Sequence, residues 1–267
     1  MKKYELTSET KMVCGITLHR IRALVDIVRY GVKAGDLGGW IESEANLDQE
    51  HDAWVSDEAL VYGKARVSDE AWVSDEALVF DEALVYDEAW VFGKARVSGK
   101  ALVSGKARVF DEAWVSGDAR VYDEAWVFGD AWVFDEAMVS GETRVSGKAR
   151  VFGEARVSGE ARVSGKAWVF DEAMVSGETR VSGKARVSKA VHVLTVGPIG
   201  SRDDTITFFR VKFSDGFTIS VCCGCFHGTV DEFRAKVKQT HGDDKHGKAY
   251  QLAADLAEAQ IELGEEG

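Results

Sequence analysis

Hydrophobic and polar positions repeat with a strict period over the middle half of the chain. From about His51 to Ser188 the sequence reads as roughly 23 consecutive hexads of the form Gly/Asp, Lys/Glu/Asp, Ala, X, Val and Ser/Phe/Tyr, without an insertion or deletion. In one such hexad Ala65 and Val67 are two residues apart and point to the same side, whereas Arg66 points to the other. Each hexad therefore predicts one short strand followed by a corner.

The corners and the narrow apolar pair together predict a solenoid. Gly or Asp begins nearly every hexad, as expected where the backbone must adopt unusual φ and ψ angles, and the following Lys or Glu is free to point into water. One hexad buries too little surface to fold alone, so stability must come from stacking. We expect one uninterrupted solenoid over residues 39–188, with helix confined to the two ends.

The pair Ala-X-Val resembles the pattern of the hexapeptide-repeat family. The resemblance implies a left-handed parallel β-helix with three hexads, or 18 residues, in each triangular coil. The chain departs from the family pattern in one respect, because Ser, Phe or Tyr separates Val from the next Gly or Asp, as in Val67-Ser68-Asp69. About eight coils at a strand spacing near 4.8 Å would make a rod on the order of 40 Å long.

Residues 18 apart then stack into three outward columns, one on each face of the rod. On face 1 the X positions are Trp54, Trp72, Trp90, Arg108, Trp126, Arg144, Arg162 and Arg180. On face 2 they are Leu60, Leu78, Arg96, Trp114, Trp132, Arg150, Trp168 and Arg186. On face 3 they are Arg66, Leu84, Leu102, Arg120, Met138, Arg156 and Met174.

The two ends lack the hexad pattern and predict caps. Residues 1–38 indicate a short N-terminal β cap, with two strands flanking a turn at Cys14-Gly15, and the pairs Gly39/Ile41 and Ala45/Leu47 already follow the hexad phase. Two extra residues around 48–50 make the only interruption of the coil. We assign residues 39–190 to the solenoid.

Residues 191–267 predict a small C-terminal α+β domain. Two alternating strands are joined by Ser214-Asp215-Gly216, a hairpin signal. Thr229 can cap a helix that carries Val230, Phe233 and Val237 on one face, and residues 249–263 predict a second helix.

Both ends together resemble a group of phage and prophage hexapeptide-repeat proteins. The group has no secure biochemical function, so the resemblance implies architecture and phage origin rather than an activity. The segments that carry the resemblance are residues 18–24, 35–42, 195–202, 224–226 and 240–242.

Composition excludes several classes of protein. The formal charge of −12 and the pI near 5.1 argue against a general nucleic-acid binder, which would carry a basic footprint. We find no signal peptide and no apolar stretch long enough to span a bilayer. Four cysteines outside the repeat do not make a disulfide scaffold, so we expect the cytoplasm of a bacterial host.

The rows of outward tryptophan form a larger apolar surface than the single apolar residues found on most proteins. We therefore expect another surface to cover them. Stacking along the rod together with burial in a homotrimer is the simpler interpretation, and recognition of a ligand by tryptophan and arginine is the other. The residues that we assign to this oligomer or partner surface are Trp54, Trp72, Trp90, Trp114, Trp126 and Trp132.

An acyltransferase is the alternative function that the family resemblance implies. Its members typically use a histidine base beside a long loop that closes over the acyl-CoA donor. Between Asp52 and Val191 there is no histidine and no inserted loop, which leaves His51 as the sole solenoid candidate. We therefore assign no catalytic residue and no cofactor.

Two further clusters have competing interpretations. Cys222, Cys223 and Cys225 could join His241 or His246 around zinc, but the spacing lacks a paired Cys-x-x-Cys and alternation places Cys222 on the other side of the strand, so we predict packed thiols and no metal.

The segment from Gly197 through Gly200 and Ser201 to Arg202 could accept an anion through backbone amides, with Arg180 and Arg186 of the last coils nearby. We predict the ligand site there, at the junction with the cap. The expected function is a non-catalytic phage-encoded binding or scaffolding protein, with a decoy acting on a host protein or a small anionic, nucleotide-like signal as its finer form.

Overall fold

The structure, a computed structural model, describes residues 2–214 and 216–264. Its chain begins with an antiparallel hairpin of β1 (Tyr4–Val13) and β2 (Ile16–Ala23), followed by β3 (Leu37–Ile41) and the short 3-10 turns Val28–Tyr30 and Glu44–Asn46. The predicted turn is confirmed, because Cys14 and Gly15 both have positive φ, at 50° and 82°. Asp215 of the predicted second hairpin lies outside the described residues.

The middle of the chain is a parallel solenoid with three sheets, which confirms the predicted coil of 18 residues. It contains 23 two-residue strands, β4 to β26, at steps of six residues. The strands of face 1 are Trp54–Val55, Trp72–Val73, Trp90–Val91, Arg108–Val109, Trp126–Val127, Arg144–Val145, Arg162–Val163 and Arg180–Val181. Those of face 2 are Leu60–Val61, Leu78–Val79, Arg96–Val97, Trp114–Val115, Trp132–Val133, Arg150–Val151, Trp168–Val169 and Arg186–Val187. Those of face 3 are Arg66–Val67, Leu84–Val85, Leu102–Val103, Arg120–Val121, Met138–Val139, Arg156–Val157 and Met174–Val175.

Alanine and valine of the hexads fill the interior as predicted. Every such Ala and Val between Ala53 and Val187 is at most 1% exposed. At two positions threonine replaces the alanine, and the buried hydroxyls of Thr143 and Thr179 each donate to a carbonyl three residues earlier at 2.6 Å. The core therefore admits a polar side chain only where its hydrogen bond is supplied.

The corners show why Asp alternates with Gly at the start of the hexads. Both residue types have positive φ, 58° at Asp75 and 70° at Gly93, for example. An aspartate there compensates by bonding to the next coil, since Asp75 Oδ2 accepts from the Gly93 amide at 2.9 Å and Asp81 Oδ2 accepts from the Gly99 amide at 3.1 Å. Aspartate corners thus tie coil to coil with side chains as well as with the backbone.

The N-terminal hairpin extends the sheet of face 2, through β3 paired with the strand Leu60–Val61. Pairing of Trp40 with Leu60 is offset by 20 residues, which confirms the two-residue interruption before the regular coils. One detail of the predicted phase is wrong, because Ala45 is exposed and Asn46 is the buried residue. Asn46 takes this place because its Nδ2 donates to the carbonyls of Gly63 and Ala65.

The C-terminal domain is an antiparallel sheet covered by two helices. The sheet contains β27 (Val193–Ile199), β28 (Asp204–Phe213), β29 (Gly216–Cys223) and β30 (Phe226–Thr229), and the turn Ala190–His192 precedes it. The helices are α1 (Val230–His241) and α2 (Lys245–Gln260), and Thr229 caps α1 as predicted, in a capping box with Glu232. The second helix begins four residues before the predicted start, where Asp244 accepts from the Gly247 amide.

This domain closes the last coil of the rod. One side of its sheet packs against the helices, and the other contributes Phe209 and Val211 to the rod core. The buried guanidinium of Arg210 donates from Nε to the Arg186 carbonyl at 3.1 Å and from Nη1 to the Gly264 carbonyl at 3.0 Å. Buried aromatic packing and a buried cation together fix the domain on the rod.

Candidate functional site

The outward columns of the rod are in the predicted register. Trp72 pairs with Trp90 on face 1, Trp114 pairs with Trp132 on face 2, and Arg120 pairs with Met138 on face 3. Side chains at these positions are therefore held one coil apart by the backbone ladder. The sequence periodicity alone was sufficient to place them.

Tryptophan and arginine stack on each other along two faces. On face 1 the Arg108 guanidinium lies 4.9 Å from the Trp90 ring centroid and 5.1 Å from that of Trp126. On face 2 the Arg150 guanidinium lies 4.7 Å from Trp132 and 5.3 Å from Trp168. Each guanidinium is thus placed between two indole rings, an arrangement in which the π faces attract the cation.

The N-terminal cap covers the first part of face 1. Trp54 is only 1% exposed because Tyr4 packs edge-on against it, and Tyr30 stacks on Trp72 at 5.1 Å between centroids. The assignment of Trp54 to an oligomer or partner surface is therefore wrong, since its indole belongs to the core. Trp72, Trp90 and Trp126 stay partly exposed.

Face 2 keeps the most accessible aromatic strip. Trp132 is 37% exposed, more than any other tryptophan of the chain, and packs edge-on against Trp114 at 5.4 Å. The two rings form the floor of an open groove of about 490 Å³. Its other lining residues are Lys94, Arg96, Glu112 and Asp130. Apolar surface and both signs of charge therefore meet in one shallow depression.

Stacked phenylalanines at the last hexad position form a further ladder that the sequence analysis missed. Phe92, Phe110 and Phe128 are parallel to within 2° at 4.9 Å between centroids. A second set, Phe134, Phe152 and Phe170, stacks in the same way. Their spacing of 18 residues was the available signal. These rings stiffen two corners of the rod and leave less of their apolar surface to a partner.

The junction of rod and cap has acidic rather than basic walls. A cavity of about 340 Å³ beside the cis peptide Gly197-Pro198 is lined by Gly177, Glu178, Thr195, Gly197, Pro198, Asp203 and Thr205. Glu178 Oε2 accepts from the Thr205 hydroxyl at 2.8 Å. Arg202 does not line this cavity. The anion site predicted here stays a prediction, and its nearest cavity presents carboxylates.

The remaining residues of that predicted site are held by other contacts. The backbone amide of Arg180 donates to the Thr207 hydroxyl. Arg186 lies on face 2, where its Nη1 donates to the Ala185 carbonyl at 2.9 Å and its guanidinium covers Trp168 at 4.1 Å. A Cβ on Gly200 would lie 1.8 Å from the Tyr250 hydroxyl, so packing requires this glycine. Ser201 is exposed beside it.

Cys222 and Cys223 of the cap alternate as predicted, but the prediction of a packed thiol is wrong for Cys225, which is exposed in the turn that follows the strand. Cys222 packs toward the rod core and Cys223 toward the helices. Burial raises the pKa of both thiols, against an opposing effect of Arg180 at each and of a Tyr250 hydrogen bond at Cys223. At neutral pH both are neutral thiols, poor nucleophiles and poor metal ligands. Over residues 2–214 and 216–264 no group of three or more His, Cys, Asp or Glu side chains is arranged to hold a metal ion.

His51 lies on an exposed corner beside the interruption of the coil. Its Nδ1 is 2.6 Å from Asp48 Oδ2, and this hydrogen bond raises the pKa of the imidazole. Asp48 would orient the ring as in acid–base dyads, but a raised pKa lowers the fraction of free base at neutral pH. The geometry supplies an oriented histidine without an adjoining cavity among those described above.

Comparisons with known proteins do not classify the chain beyond its fold. No protein-family profile matches the chain, and no curated protein is significantly similar in sequence. The protein is a parallel β-solenoid with coils of 18 residues, consistent with a hexapeptide-repeat β-helix. Neither described helix is both long and apolar enough to cross a membrane.

Proposed function

We propose that the protein is a non-catalytic binding protein whose face 2 docks a protein partner. The observation that carries the proposal is the strip of indole and guanidinium groups on five consecutive coils, at Arg96, Trp114, Trp132, Arg150 and Trp168. Tryptophan and arginine are the residue types that dominate the energetics of protein interfaces. The strip is open and long, which suits a segment of protein better than a small molecule.

The chemistry of the strip defines the kind of segment. An aliphatic or aromatic side chain would fill the groove over Trp114 and Trp132, and a carboxylate would reach Arg96 or Arg150 in bidentate geometry. The partner is therefore an acidic segment with an apolar anchor. Action as a phage-encoded decoy inside an infected host is the finer form of this proposal, and it rests on the resemblance of the two ends.

Peptide display against the immobilised protein tests the proposal. Selected peptides should combine acidic residues with an apolar anchor, and the double variant Trp132→Asp/Arg150→Glu should weaken their binding by about 30-fold, as for loss of a hot spot. Met138→Asp, at the same hexad position on face 3, is the matched control and should change nothing. Retained binding in the double variant would refute the docking face.

A separate variant distinguishes the junction from face 2. If Arg202→Glu abolishes binding of the selected peptide while the face 2 variant keeps it, the site lies between Gly197 and Arg202 and the present placement is wrong. Arg202 and Trp132 are exposed and Arg150 is half-buried, so thermal unfolding of each variant is measured to establish that it is folded.

An acyltransferase is the second candidate, carried only by the oriented His51. Turnover of acetyl-coenzyme A that His51→Ala abolishes would establish it, and the docking proposal expects no turnover. We also propose a homo-oligomer, with three copies as the expected number, in which part of the remaining tryptophan surface is covered.

A further inference from the structure

The second residue of each hexad projects at an edge of the rod and forms three columns of charge. Edge 1, before face 1, contains Asp52, Glu70, Glu88, Lys106, Glu124, Glu142, Glu160 and Glu178. Edge 2, between faces 1 and 2, contains Glu58, Glu76, Lys94, Glu112, Asp130, Lys148, Lys166 and Lys184. Edge 3, between faces 2 and 3, contains Lys64, Glu82, Lys100, Asp118, Glu136, Glu154 and Glu172.

The N-terminal cap occupies the start of edge 1. Arg29 Nη2 pairs with Glu88 at 2.6 Å, and the Tyr30 hydroxyl donates to the Glu70 carbonyl. Edge 1 is exposed from Lys106 onward, although Glu178 at its end also accepts from the Thr205 hydroxyl of the C-terminal domain.

Over this open part, edges 1 and 2 are complementary coil by coil. Four of the five hexad pairs have opposite signs, since Glu112 corresponds to Lys106 and the three C-terminal lysines correspond to glutamates. Asp130 with Glu124 is the exception. Each edge changes sign once over this part, edge 1 after Lys106 and edge 2 one coil later, after Asp130. The complementary pairs are Glu112/Lys106, Lys148/Glu142, Lys166/Glu160 and Lys184/Glu178.

The other combinations of edges lack this match. Between edges 2 and 3 two of four pairs from the same coils are opposite, and between edges 3 and 1 one of four is, Lys106 with Asp118. Ion pairs within the molecule instead run along an edge, as in Lys148 with Asp130 at 3.8 Å and Lys106 with Glu124 at 3.9 Å. The two complementary edges bound opposite sides of face 1, so a single rod does not bring them together.

We propose that edge 2 of one molecule binds edge 1 of a second copy, with the rods parallel and in register. Both columns have the spacing of the same strand ladder, near 4.8 Å, so every lysine of the C-terminal coils meets a glutamate at its own height. No other polyanion needs to be assumed, because the chain itself carries a row with this period. Glu112 belongs both to this contact and to the rim of the face 2 groove, whereas Lys148, Lys166 and Lys184 do not line that groove.

Closed assembly would cover face 1 between the paired edges. A face-to-face pair and a ring of three both allow edge 2 to meet edge 1 of the neighbour. Trp90 and Trp126 then lose their remaining exposure. Arg144 and Arg162 would be enclosed together with Glu142 and Glu160, which lie two residues before them and limit the repulsion.

Charge reversal and restoration test the contact. The wild type should have a molar mass of two or three times 29.2 kDa by size-exclusion light scattering at about 50 mM salt, and should dissociate as salt is raised. The variants Lys148→Glu/Lys166→Glu and Glu142→Lys/Glu160→Lys should each be monomeric. All four changes in one chain restore complementarity with no change in net charge and should restore the oligomer.

The matched control is Lys64→Glu/Lys100→Glu on edge 3, which changes net charge by the same amount as the edge 2 reversal and should leave the oligomer intact. Far-UV circular dichroism establishes that each variant is folded. A monomeric wild type, an oligomer that survives either reversal, or a folded quadruple variant that stays monomeric would overturn the proposal. None of these outcomes bears on peptide binding by face 2, so the two proposals fail separately.

Discussion

The N-terminal and C-terminal coils share one interior and differ in almost every outward position. Residues 51–140 contain 19 acidic and eight basic side chains, whereas residues 141–188 contain six acidic and nine basic. Ala and Val are equally buried in both parts. The comparison shows that the repeat fixes the inside and leaves the surface free to vary, so differences between coils are the place to look for function.

The corners differ in the same way. In the N-terminal coils aspartates such as Asp75, Asp81 and Asp87 accept hydrogen bonds from the next coil, whereas glycines such as Gly159 and Gly165 prevail in the C-terminal coils. Aspartate tolerates left-handed backbone less well than glycine but recovers a bond. The same rod therefore uses two residue types, aspartate and glycine, for the same left-handed corner conformation.

The largest expected effect on the free energy of unfolding comes from substituting a corner glycine of the C-terminal coils. Gly165→Ala should cost about 2 kcal/mol, because a left-handed alanine is strained by about 1–2 kcal/mol and its Cβ would lie 3.0 Å from the Gly183 nitrogen. Gly165→Asp should cost about half as much, since its carboxylate can accept from the Gly183 amide. Chemical denaturation measures both values. Equal losses would show that the coil-to-coil bond does not explain the aspartate corners.

A smaller effect concerns the N-terminal end, where Lys3 is buried and donates to the carbonyls of His51 and Ala53. Burial lowers the pKa of Lys3 to about 8, although Asp48 and Asp52 oppose the shift. The unfolded chain binds the proton more tightly, so stability should rise between pH 8 and 9.5 by up to about 1 kcal/mol per pH unit. Thermal unfolding of Lys3→Met should lack this rise, and a parallel pH profile would contradict the assignment.

The smallest effect compares two arginines of face 1. Arg108→Ser removes a guanidinium from between two indoles and should cost about 0.5–1 kcal/mol. Arg162 pairs with Arg144 and Arg180 in the ladder. Arg162→Ser should therefore relieve like-charge repulsion and stabilise the protein by about 0.3 kcal/mol. Urea denaturation measures the change in the free energy of unfolding for each variant, and the two changes should have opposite signs. A loss at both positions would mean that packing of the arginine stem outweighs its charge.

Periodic features of the protein could be predicted from its sequence, and features that depend on distant segments could not. The register of Trp72 with Trp90 follows from the hexad length, and the cap at Thr229 follows from its local residues. Burial of Trp54 depends on Tyr4, about fifty residues earlier, and no local pattern reveals that contact. The acidic lining of the junction cavity near Gly197 was similarly not apparent from local sequence, because Glu178 and Asp203 reach it from separate elements.

Because of the hexad register, the length of the rod and the angle between its two ends can change separately. Adding one hexad would turn everything downstream by a third of a revolution, and the cap held by Arg210 would then sit over a different face. Adding three hexads would lengthen the rod by one strand spacing and leave every angle unchanged. Residues 135–151 recur without a single difference at 171–187, an offset of 36 residues or two whole coils. The chain has therefore grown by whole revolutions, which extend the distance between its two ends while keeping them in angular phase.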